Sequence, residues 1–151
     1  MPIWNQLRQA TKGMQDQLLA KKNELQSGSF RDASMAMCAL VAAADGSVDQ
    51  AERQKVSGLI TSNAALSNFP PDTLSSRFDD NCNKLAADYQ LGKVELIQLV
   101  GKTKKKPAEA RAVIQIGIII GGADGNFDDQ EKAVVREACH AVGIDPSEFE
   151  L

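Results

Sequence analysis

The sequence predicts an all-α domain of about seven helices, and three observations carry that prediction. Apolar residues recur at three- and four-residue steps along most of the chain. No stretch alternates apolar and polar residues as a half-buried strand does. One unit of helix, tight turn and helix is written twice, around "AADGSVDQAER" at 43–53 and "GADGNFDDQEK" at 122–132. Short connections between the helices make a single-domain helical bundle the expected architecture.

Taken in order, Trp4, Leu7, Met14 and Leu18 lie on one stripe with Lys, Gln and Arg between them. They predict an N-terminal amphipathic helix within residues 1–28, packed on a helical domain at 29–151. A "SGS" break at 27–29 precedes a second stripe, Phe30, Ala33, Met37, Leu40, Val41 and Ala44, with Gly46 placed to stop it. A helix from about 50 to 61 follows, and Pro70 and Pro71 punctuate the chain before a start at Asp72. Leu74, Phe78, Cys82, Leu85 and Tyr89 fall on one face; after Gly92 come Val94, Ile97 and Val100. Lys102, Lys104, Lys105 and Lys106 close that helix, where cations complement the negative end of its dipole. Pro107 opens the next one. Its apolar run at 112–123 is shorter than the roughly 20 residues needed to span a bilayer, so it reads as a buried helix. A last helix runs from about 129 to 142, and "GIDPSEFEL" forms a helical cap.

The repeated unit carries the candidate chemistry. A shift of 79 residues places Asp45, Gly46, Asp49 and Glu52 on Asp124, Gly125, Asp128 and Glu131. Asp49 with Glu52, and Asp128 with Glu131, have capping-box spacing, and such caps stabilise a helix by about 1 kcal/mol. Gly46 and Gly125 supply the left-handed conformation of a helix exit. Asp45 and Asp124 differ, because a carboxylate at a helix C-terminus is disfavoured by about 0.3–1 kcal/mol. Amides of the next turn can satisfy each of them locally, or a bound cation can. The oxygen donors Asp45, Asp49, Glu52, Asp124, Asp128 and Glu131 suit calcium or magnesium better than zinc or copper. The spacing is not that of an EF-hand, because Glu52 follows Asp45 by only seven residues. If both turns lie side by side, their carboxylates pool; a pair at 4 Å repels by about 4 kcal/mol at an effective dielectric near 20. A cation, a basic partner segment or raised pKa values relieve such repulsion.

With "ADGSVDQAER", "ADGNFDDQEK" and the tail "AVGIDPSEFEL", the chain resembles the TerB family of tellurite-resistance proteins from about residue 30 to its end. The resemblance implies an all-helical cytoplasmic protein of the tellurite, phage and colicin resistance system. It also implies a metal site on acidic residues of both turns, matching the six named above, and association with the integral membrane protein TerC at the inner face of the membrane.

Composition narrows the remaining classes. Net charge −3 and 5% aromatic residues argue against a nucleic-acid surface. The N-terminus lacks the apolar core of a signal peptide, so the cytoplasm is expected. Cys38, Cys82 and Cys139 are widely spaced and fit neither a disulfide framework nor a thiolate zinc site, so buried thiols are expected. His140 is alone, and no nucleophile, base and orienting group can be assembled around it. The expected function is therefore a non-enzymatic binding module. The alternatives are an acidic docking domain without metal, and a peripheral membrane adaptor using Trp4, Leu7, Arg8, Lys12, Lys21 and Lys22.

Overall fold

Helix starts in this chain are fixed by local chemistry. The computed structural model describes residues 2–151 except Ser47, Asp124 and Asn126, with backbone alone for 2–10. Among the described residues, α1 spans Pro2–Ala20, α2 Gly28–Ala42, α3 Gln50–Ser62, α4 Pro71–Ala87, α5 Tyr89–Gly101, α6 Pro107–Gly121 and α7 Asp129–Val142. Three 3-10 turns, Lys22–Glu24, Ala64–Leu66 and Pro146–Phe149, complete the regular structure. Ser27 caps α2, its hydroxyl accepting from the Phe30 N–H at 3.0 Å. Pro71 and Pro107 open α4 and α6, where a missing N–H costs nothing. Gly143, at φ 74°, ends α7.

Two helices form the centre. Residues 33–41 of α2 and 112–118 of α6 are buried without interruption, and a helix that is apolar all round must be covered on every side. They lie side by side and run parallel. Ser27 donates to both carboxylate oxygens of Glu109 at 3.1 Å where the two helices begin. Midway, Met37 packs over Gly117, where a Cβ would come within 2.6 Å of the Met37 Cγ. At the far end Val41 meets Gly121 in the same way, at 2.5 Å. Each contact joins residues about 80 positions apart. Helices α4, α5 and α7 pack around α2, and α1 lies against α6.

α1 is fastened by both kinds of contact. Leu18 is buried in the core, Met14 is half-buried, Gln15 and Asn63 exchange hydrogen bonds at 3.0 and 3.1 Å, and the Gln115 amide donates to Gln17 at 2.7 Å. The side chains of Trp4, Leu7 and Arg8 lie outside the described residues.

The region of α4 and α5 corrects the sequence reading. The break falls at Asp88, whose extended backbone and carboxylate, accepting from the Leu91 N–H at 3.1 Å, start a new helix. Tyr89 therefore opens α5 and does not extend the α4 stripe. Gly92 lies inside α5 and separates nothing; it admits α4, since a Cβ there would sit 2.9 Å from the Lys84 carbonyl oxygen. The buried face of α5 is Gly92, Leu96 and Val100, while Val94 is 53% exposed. The helix ends at Gly101, so Lys104, Lys105 and Lys106 belong to the turn that follows.

Candidate functional site

Because α2 and α6 start together, run parallel and have 15 residues each, they end together. Their common length is about 22 Å at 1.5 Å per residue. Both turns of the repeated motif are thus delivered to the same end of the molecule. Each closes with a matching hydrogen bond, the Gly46 N–H to the Ala43 carbonyl at 2.8 Å and the Gly125 N–H to the Gly122 carbonyl at 2.9 Å. Gly46 and Gly125 take φ values of 105° and 81°, which L-residues rarely adopt. α2 stops at Ala42, so Asp45 stands in the turn beyond the helix and not in its last turn as expected. Gly46 shapes that turn and is not the residue that stops the helix.

Between the turns lies a cavity of about 260 Å³. Asp45, Glu52, Asp128 and Glu131 line it, two from each copy of the motif. Its apolar wall includes Val41, Val56, Leu59 and Ile120. Asp124 lies outside the described residues. Asp49 does not line the cavity; its carboxylate accepts the Glu52 N–H at 2.8 Å and caps α3. Asp128 makes the same bond to the Glu131 N–H at 2.8 Å, and Glu131 returns one from the Asp128 N–H at 3.1 Å, completing a capping box on α7. Asp128 and Glu131 therefore cap a helix and face the cavity at once.

The electrostatics follow from this crowding. The Glu52 carboxyl is held above the usual carboxylate range, first by slight desolvation, then by the charges of Asp49 and Asp45 and a hydrogen bond with Asp49. One cation was missed by sequence reading: Lys55 also lines the cavity. Its position three residues after Glu52 was a usable signal, since such residues share a helix face. Under the 79-residue shift Lys55 falls on Val134, which is buried, so the two sides of the cavity differ in charge.

The donor set is entirely oxygen, which suits hard cations. Among the described residues, however, no three His, Cys, Asp or Glu side chains stand close enough together to hold a metal ion. The described carboxylates share a cavity without converging on a point.

The thiols stand apart from this site. Cys38, Cys82 and Cys139 are all buried and free. Burial pushes the Cys38 thiol far up, with a further contribution from Cys82. Burial raises Cys82 to about 11, against the opposing Arg53 guanidinium and with Asp79 adding to the rise. Cys139 is also raised to about 11, by burial and then by Glu148 and Asp145. Arg53 near Cys82 was not legible in the sequence, since 29 residues separate them.

Among the described residues no helix is long and apolar enough to cross a membrane. No solved structure matches the chain. The Tellurium resistance protein TerB of Alcaligenes sp. is 23% identical over 118 residues, covering 78% of this chain and 97% of that protein. The family described as "Tellurite resistance protein TerB" matches residues 31–151, which takes in α2 from Arg31 onward, α3 to α7, both turns and the cavity between them. The chain belongs to the TerB family of tellurite resistance proteins.

Proposed function

We propose that this chain is a non-enzymatic tellurite-resistance and stress-response protein whose paired turns bind one divalent cation, calcium or magnesium, and that it works as an interaction module. The observation that carries this reading is the shared cavity, with Asp45 and Glu52 from one turn facing Asp128 and Glu131 from the other. These four, with Asp124 at the position equivalent to Asp45, are the proposed ligands, and Asp49 acts on Glu52 through its charge. A bound cation would neutralise carboxylates that otherwise repel one another and would brace the two turns. The absence of catalysis is supported by the thiols, which are buried and protonated at neutral pH and so poorly suited to reducing tellurite. The partner implied by the family resemblance is TerC, which would place the protein in the cytoplasm at the inner face of the membrane.

Calorimetric titration with calcium and with magnesium tests the reading. The parent protein is expected to bind at least one of them, and Asp45→Asn with Asp124→Asn is expected to weaken binding at least tenfold while leaving helical content unchanged by circular dichroism. Absence of binding heat with both ions rejects the cation version and leaves an acidic docking surface.

A further inference from the structure

We infer that the cavity also receives the lysine-rich turn 102–106 of a second copy of this chain, so that copies associate head to tail. The inference uses the same cavity as the proposed cation site but does not depend on a cation being bound there.

The first ground is the make-up of the cavity. It is lined by the acids Asp45, Glu52, Asp128 and Glu131, by the chain's own Lys55, and by apolar side chains including Val41, Val56, Leu59 and Ile120. A small hydrated ion uses only the carboxylates. A lysine uses both, laying its four-carbon stem along apolar surface and its ammonium among the acids.

The second ground is where the chain keeps its own exposed lysines. Lys104, Lys105 and Lys106 form the turn before α6, with Lys102 beside them, and all four are exposed. Among the described residues, Lys106 is the one of these four lysines in an ion pair, 3.8 Å from Glu109. The turn sits at the start of α6 and the cavity at its end, about 22 Å apart along the helix. The cavity end has basic groups of its own, Arg53, Lys55 and Lys132, against Asp45, Asp49, Glu52, Asp128, Asp129 and Glu131. Arg53 is engaged with Asn83 at 2.8 Å. The acids prevail at the cavity end, while the lysine end also carries Arg111 and the acids Glu109, Asp145 and Glu148, so the unlike charge offered to the cavity is that of the lysine turn itself.

An interface between two different surfaces of one chain does not close on itself at two copies, and it extends by adding further copies. A contact this limited and this charged is weak and is screened by salt. Sedimentation velocity in low-salt buffer with EDTA tests it. The sedimentation coefficient is expected to rise with protein concentration and to return to the single-chain value in high salt. Lys104→Gln with Lys105→Gln should abolish the rise, as should Asp45→Asn with Glu52→Gln and Asp128→Asn, in which asparagine preserves the α7 cap. An equimolar mixture of these two variants should form pairs and nothing longer, because it contains only one competent cavity and one competent turn per pair. A single-chain coefficient at every concentration overturns the inference, as does association that survives the cavity substitutions. Binding of the lysine turn to anionic vesicles by a parent that never self-associates would assign that turn to a membrane instead.

Discussion

Asp45 and Asp49 are four residues apart in one turn, yet only Asp45 lines the cavity, while Asp49 accepts the Glu52 N–H in the first turn of α3. Spacing alone could not separate them, because both are carboxylates near a helix end and the distinction lies in which way each side chain is carried. Asp128 carries both roles, and its substitutions divide them. Asp128→Ala should lower stability by about 1 kcal/mol, a melting shift of about 2–4 °C for a chain of this size, whereas Asp128→Asn should keep stability and lose only cation affinity. Thermal melts with and without calcium check both. Glu52 offers a pH test. Its pKa is raised in the folded chain, so the folded state holds its proton at higher pH than the unfolded state does. Without divalent ions, stability contributed by this group is therefore lost as pH rises from the ordinary glutamate range through the raised value. Glu52→Gln should flatten that part of the stability profile in EDTA and should weaken calcium binding at neutral pH. Ser34 is buried and its hydroxyl has no hydrogen-bond partner among the described residues, so Ser34→Ala should stabilise the chain by about 1 kcal/mol in denaturant titrations.

Glycines show why helix boundaries were only partly legible. Gly92 looked like a break, but its meaning is set by the α4 backbone lying against it, which no local pattern reveals. The same ambiguity hid Leu96 as a core residue and promoted the exposed Val94. Caps were readable because their chemistry is local: Asp49, Asp128 and Pro107 stand where such residues are favoured. Two glycines make opposite predictions. Gly58 in α3 is exposed, and a Cβ there meets nothing within 4 Å, so Gly58→Ala should stabilise by about 0.5–1 kcal/mol. A Cβ on Gly121 would lie 2.5 Å from Val41, 3.0 Å from Phe127 and 3.1 Å from a Glu131 carboxylate oxygen. Gly121→Ala should therefore cost about 1–3 kcal/mol and displace one wall of the cavity. Chemical denaturation of the two variants, side by side, distinguishes these outcomes.

At the scale of the molecule, the arrangement of α2 and α6 decides whether two turns make one site. The duplicated spacing announced two similar turns, and the apolar run at 112–123 announced one buried helix, α6, whereas α2 was legible only as a stripe. That these helices run parallel from a common start depends on contacts between distant residues, Ser27 with Glu109, Met37 with Gly117 and Val41 with Gly121. Lys55 entered the cavity for the same reason, carried there by the packing of α3. The core also shelters the thiols, and with Cys82 and Cys139 at about 11 and Cys38 higher, thiolate is scarce at neutral pH. A thiol reagent such as DTNB should react slowly with the native chain and rapidly with all three cysteines after unfolding.

The most direct test of a single shared site is the stoichiometry of cation binding in variants of one turn at a time. In calorimetric titrations, the parent is predicted to bind one calcium or magnesium ion per chain, and Asp45→Asn or Asp128→Asn alone is predicted to abolish most of the affinity. Two ions per chain, or a site that survives intact when only one turn is altered, would contradict it.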